Sequence, residues 1–170
     1  MEQPDRTRAA RKWLAGLLIG AALLPVSADS ARLRQPLRFF EGRTEMVTVV
    51  KVVMKKAYRS RTLGAGRILP DGTLALAQQI YDQGQPPSQR RWRIRQLAPG
   101  RFAGTMTEAV GPVLVDEVDG SYRFKFRMKG SLSVEQWLIP LPDGNSARTT
   151  LTVRKFGMRV ASSVGTIRKL

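Results

Sequence analysis

Apolar and polar residues alternate with a period of two along most of the chain beyond residue 45. The clearest instance runs from Tyr122 to Lys129, where Tyr122, Phe124, Phe126 and Met128 fall on one face and Arg123, Lys125, Arg127 and Lys129 on the other. Successive strand side chains point to opposite faces, so the pattern predicts a strand with one buried and one wet side. Similar stretches cover residues 46–54, 74–81, 91–97, 101–106, 132–139, 149–156 and 160–167. Turn signals separate them at Pro70-Asp71-Gly72, Asp82-Gln83-Gly84, Pro99-Gly100, Asp119-Gly120 and Pro142-Asp143-Gly144-Asn145, the rhythm of consecutive hairpins. Residues 47–54 depart from it: apolar side chains occupy both faces and only Thr48 and Lys51 interrupt them, which predicts a strand covered on both sides. No helical period stands out after the N-terminal leader.

Short antiparallel strands must hide their edges, and closing the sheet on itself does so most completely. The expected fold class is therefore all-β, a single antiparallel barrel of about eight to ten strands, with a two-sheet sandwich as the alternative. No linker, repeat or low-complexity tract divides residues 29–170.

Charge changes the picture next. Lys and Arg number 29 against 13 Asp and Glu, a formal net charge of +16, more than solubility requires and a sign of an anionic neighbour. Cys and His are both absent. That removes disulfides, thiolate and imidazole metal ligands, and every Ser-His or Cys-His relay. Residues 1–28 have the build of a secretory signal peptide: Arg6, Arg8, Arg11 and Lys12, then the apolar run 13–24, then Pro25 and the small-residue run Val26-Ser27-Ala28. The apolar run falls short of the ~20 residues that cross a bilayer, so cleavage near Ala28 and a periplasmic product are expected. No Cys follows to accept a lipid anchor. Cleavage removes four cations and two acids, and the basic excess survives it.

Several short motifs occur in a recognisable order: Phe39-Phe40-Glu-Gly-Arg-Thr44, Pro70-Asp-Gly-Thr-Leu74, Ile80-Tyr-Asp-Gln-Gly84 followed by Arg91-Trp-Arg-Ile94, and Arg154-Lys-Phe-Gly157. Over roughly residues 37–169 the chain resembles the bacterial family catalogued as domain of unknown function 3833. The resemblance implies an exported, lipocalin-like (calycin-type) barrel of the cell envelope. This sequence departs from that pattern in three ways: no lipidating Cys, an acidic run around Tyr81 reduced to Asp82 among glutamines, and no Gly turn within residues 47–54.

The candidate ligand-binding residues are Tyr81, Arg91, Trp92, Tyr122, Phe124, Trp137, Arg154, Lys155 and Phe156. Each has a plainer structural reading. Tyr81-Asp82-Gln83-Gly84 is what a tight hairpin demands. Trp92 and Trp137 are the large inward side chains that a small barrel needs. Arg91, Arg93 and Arg95 lie opposite Trp92 and Ile94, and Arg154-Lys155-Phe156-Gly157 suits a bulge or a close backbone approach flanked by cations. Asp116 and Glu117 point to opposite faces, Glu41 and Glu45 straddle Gly42, and Ser162-Ser163 lacks a partner base, so no catalytic or metal role is assigned. The leading expectation is a non-enzymatic binding protein without a cofactor. It would hold an apolar or amphiphilic, lipid-like molecule inside the barrel and engage an anionic membrane surface or envelope polymer through its basic face. Nucleic acid is disfavoured as a partner, because aromatics and cations occupy opposite faces of 122–129. A fully packed interaction barrel is the alternative, and an imidazole-free enzyme the third reading.

Overall fold

The computed structural model describes residues 35–170; the leader at 1–28 lies outside them. One helical turn, α1 (Pro36–Phe39), precedes ten strands: β1 (Gly42–Val52), β2 (Tyr58–Ile68), β3 (Leu74–Asp82), β4 (Ser88–Ala98), β5 (Arg101–Met106), β6 (Val113–Val118), β7 (Ser121–Met128), β8 (Leu132–Pro140), β9 (Ser146–Lys155) and β10 (Met158–Lys169). Each strand pairs antiparallel with the next, and β10 returns to β1, closing the barrel. The closing seam runs from Thr44 opposite Lys169 to Val52 opposite Ala161.

Alternation decides what is inside. Tyr122, Phe126, Val113, Val115, Phe102, Ile94, Trp92, Leu74, Leu76, Val134 and Leu138 are all buried. Their rings meet edge to face: Trp92 stands 5.8 Å from Phe126 and 6.4 Å from Phe124, and Phe102 stands 6.3 Å from Tyr122. Such aromatic pairs add ~0.5–1.5 kcal/mol each beyond the area they bury. Helix α1 plugs one end, with Phe39 buried in the core and Phe40 packed against it. The plug sits directly on β2, since a Cβ at Gly66 would lie 2.0 Å from the Phe40 carbonyl oxygen.

The closed all-β barrel and the two-faced strand at 121–128 agree with the sequence pattern. Several details differ from it. Strands β2 and β6 go beyond the predicted set, and α1 is a helical turn outside the leader. Strand β1 is not covered on both sides: Val47 and Val49 lie on its outer face, half exposed, while Thr44, Met46 and Thr48 turn inward. Phe156 and Gly157, with φ of 51° and 82°, form a two-residue turn pairing Lys155 with Met158, and the bulge falls further on, between Arg159 and Ala161.

Candidate functional site

The barrel interior is divided by polarity. Strands β3 to β8 line one side with aromatic and aliphatic side chains. Strands β1, β2 and β9 line the other with Thr44, Thr48, Ser60, Thr62 and Thr149, all buried. Interior hydrogen bonds tie this polar part together: the Trp92 indole N–H donates to Gln78 Oε1 at 2.7 Å, and Gln136 Nε2 donates to Thr149 Oγ1 at 3.0 Å. At the unplugged mouth, Arg90 Nε donates to both carboxylate oxygens of Glu108 at 3.0 and 3.2 Å. At the start of β2 the Tyr58 hydroxyl is held above its ordinary range, first by burial and then by the Asp82 carboxylate. Among the described residues, an interior cavity bounded by Met46, Leu76, Gln78, Arg90, Trp92, Phe124 and Gln136 measures about 50 Å³. At roughly 10–15 Å³ per water, that is room for a few water molecules and far less than the ~300–1,000 Å³ of a small-molecule site.

A larger concavity lies on the outer surface. Strand β6 begins only at Val113, and Gly111 (φ 84°) and Pro112 arch away from β7. The Val110 N–H still reaches the Arg127 carbonyl at 2.8 Å, and the ladder resumes at Leu114 opposite Lys125. Between these points opens a groove of about 380 Å³, lined by Val110, Pro112 and Leu114 on one side and by Lys125, Arg127, Ser133, Glu135 and Arg154 on the other. Register fixes the charges: Arg127 faces Ser133, and Ser133 faces Arg154. Two strand spacings place the two guanidinium-bearing positions ~10 Å apart across one serine. Lys125 pairs directly with Glu135, whose Oε1 accepts the Trp137 indole N–H at 3.1 Å.

The structure separates the nine sequence candidates. Trp92, Tyr122 and Phe124 share the interior. Tyr81 and Arg91 are exposed on the outer face of β3 and β4. Trp137, expected in the core, is half-buried on the outer face of β8, where the Arg123 guanidinium lies 5.6 Å over its ring. Its parity explains this: it pairs with Arg123 and Thr150, both outward. Arg154 enters the outer groove, while Lys155 and Phe156 sit at the β9–β10 turn with the Lys155 ammonium 5.7 Å from the Phe156 ring. Sequence reasoning missed Arg127, Leu114 and Val110, because their convergence depends on register and on the Gly111-Pro112 arch.

It also missed Glu45. This outward carboxylate accepts from Arg61 Nε at 2.7 Å on β2 and from Arg168 Nη2 at 2.6 Å on β10. The Arg168 bond first and the Arg61 bond second hold its pKa below the ordinary value of 4.5. Asp143 is likewise lowered by the Ser146 hydroxyl, and Asp71 by the Thr73 backbone N–H. Among the described residues no cluster of three or more acidic groups is arranged to hold a metal.

A closed ten-stranded antiparallel barrel with a plugged end has the architecture of a lipocalin-like, calycin-type barrel. The chain is similar in structure to an S-type phycobiliprotein lyase from Guillardia theta, with a TM-score of 0.65 at 5% identity, covering 82% of this chain and 93% of that one. It is also similar to Rv2717c of M. tuberculosis (TM-score 0.60, 12% identity, 81% and 97% covered). A third likeness is to a protein of unknown function from the DUF3598 family of Nostoc punctiforme (TM-score 0.55, 13% identity), covering 79% of this chain and 49% of that one. No family profile and no curated protein matches the chain in sequence.

Proposed function

We propose that the protein is a non-catalytic binding barrel that holds an anionic amphiphile, its acidic headgroup between Lys125, Arg127 and Arg154 and its apolar part along Val110, Pro112 and Leu114. The observation that carries this is the outer groove itself: about 380 Å³, with Lys125, Arg127 and Arg154 outnumbering Glu135 on one wall and apolar side chains on the other, within the ~300–1,000 Å³ of known ligand sites. The groove is favoured over the interior as the ligand's seat, because the interior cavity beside Trp92 and Phe124 measures only about 50 Å³. Guanidinium groups suit a phosphate or carboxylate head, which they grip through paired N–H donors. The likeness to barrel proteins, one of them named a phycobiliprotein lyase, supports the fold and leaves the ligand to the groove's own chemistry. A non-enzymatic role is favoured because four of the carboxylates have structural work: Glu45 lies between two arginines, Glu108 against Arg90, and Asp71 and Asp143 in turns. The basic-then-apolar leader and the resemblance to the envelope family support export, and the cation surplus supports an anionic envelope surface as the protein's neighbour.

The test is titration with lysophosphatidylglycerol and lysophosphatidylcholine below their micelle concentrations, followed by tryptophan fluorescence. Saturable binding of the anionic lipid is expected, and R127S/R154S should weaken it about tenfold or more, since hydrogen bonds to charged groups contribute ~1.5–3 kcal/mol each. Equal affinity of wild type and variant removes the groove from the proposal.

A further inference from the structure

The end of the barrel opposite α1 carries an arrangement that folding does not require. Hairpins β1–β2 and β9–β10 are neighbours there, joined by the Val53 N–H to the Val160 carbonyl at 3.0 Å. Their tips present Val53, Met54, Phe156 and Met158, which are 57%, 100%, 76% and 68% exposed. Met54 and Phe156 also sit at φ of 61° and 51°, in the left-handed region where Gly or Asn is the stable choice and a bulky side chain is strained. Two large apolar residues are thus held in costly backbone conformations with their side chains in water. Strain of this kind persists at functional positions.

Cations outnumber acids around the tips. Lys51, Lys55, Lys56, Lys129, Lys155 and Arg159 lie in or beside the loops of this end, against Asp82 and Glu108, whereas the turns at the plugged end carry Asp71, Asp119 and Asp143. Below Lys51 and Ser162 the outer wall is apolar again at Val164 and Val49, which are paired neighbours on β10 and β1 and half exposed. A second copy of the chain is a poor occupant, since it would set this ring of cations against itself.

We infer that this end docks on an anionic phospholipid bilayer, with Met54, Val53, Phe156 and Met158 entering the interfacial layer and the surrounding lysines contacting the headgroups. Apolar side chains at the acyl boundary and basic residues over anionic lipid are the two components of such binding. The inference rests on the reading of a basic barrel beside an anionic envelope, and it names the part that touches it. The groove opens toward this same end, beside Arg154.

Vesicles of phosphatidylcholine with 30% phosphatidylglycerol, and of phosphatidylcholine alone, are mixed with the protein at low and high salt and sedimented. Wild type should pellet with the anionic vesicles at low salt, and the tip variant M54N/F156N/M158S should lose about tenfold or more of that partitioning. F156W should show a blue-shifted emission on the anionic vesicles. Far-UV circular dichroism and lysophosphatidylglycerol titration of the tip variant verify that barrel and groove survive, so a failed groove and a failed docking end are told apart. Unchanged partitioning of the tip variant overturns the inference, as does unshifted F156W emission on pelleted protein, or a wild-type dimer that the tip substitutions dissociate.

Discussion

Leu74 has no exposed surface, and it lies where the α1 plug, β4 and β5 converge, with Leu37, Phe40, Ile94 and Phe102 around the same small void. Leu74→Ala strips apolar contacts from a site that a closed sheet cannot collapse around, so a loss of about 2–5 kcal/mol is expected. Urea unfolding should show it as a lower midpoint at unchanged slope. Gly104 is constrained differently. A Cβ there would lie 1.8 Å from the Arg93 carbonyl oxygen on the neighbouring strand, and backbone gives way less easily than a side chain. Gly104→Ala should therefore destabilise the barrel although it adds a single methyl group to a buried wall.

Glu45 shows an element-scale effect carried by one side chain. Strand β1 pairs with β2 on one side and β10 on the other, and Glu45 takes an arginine from each. Its pKa is lower folded than unfolded, so its stabilisation is present above its ordinary value of 4.5 and is lost as pH falls through the depressed folded value. Thermal midpoints of wild type and Glu45→Gln should thus differ most near neutral pH and converge in acid. A constant difference across that range would assign the effect to packing instead. Asp71 and Asp143 titrate with the same sign and steepen the wild type's acid loss.

How much of this the sequence disclosed follows from physical pattern. Strand β7 was legible because its inward residues are Tyr122, Phe124, Phe126 and Met128, each opposite a cation. Strand β2 was not, because its inward residues are Tyr58, Ser60, Thr62, Gly64 and Gly66, and with small or polar side chains inside a strand loses its apolar alternation. Those small residues are there because α1 and Thr44 press against them, a tertiary cause. Strand β1 misled in the other direction: Val47 and Val49 read as core, yet only the inward parity of Met46 and Thr48 meets the interior. The groove was hidden for a third reason, since Arg127 and Arg154 become neighbours across Ser133 only after two strand registers are set.

At the scale of the whole molecule the charge is uneven along the barrel axis: the plugged end mixes Asp71, Asp119 and Asp143 with Arg38, Arg43, Arg67, Arg101 and Lys169, whereas lysine-rich loops give the opposite end a cation excess. An axis of this kind orients a protein approaching a charged surface and speeds its arrival, an effect that salt screens over about 8–10 Å at physiological strength. The protein's association rate with phosphatidylglycerol vesicles in stopped flow should therefore fall steeply with salt. A salt-independent rate would mean that the axis does not steer.

The β1–β10 seam has a consequence for how the chain is made. Thr44 pairs with Lys169, so during vectorial synthesis the first strand to emerge has to wait for the last before its second edge is covered. In that interval β1 presents a β-branched, valine-rich ribbon with free N–H and C=O groups, the kind of edge that pairs indiscriminately with other chains. Lys51, at the far end of its outer face beyond Val47 and Val49, is the gatekeeping charge that such a ribbon needs, and a nascent chain lacking it would be the one to clump before its barrel could shut.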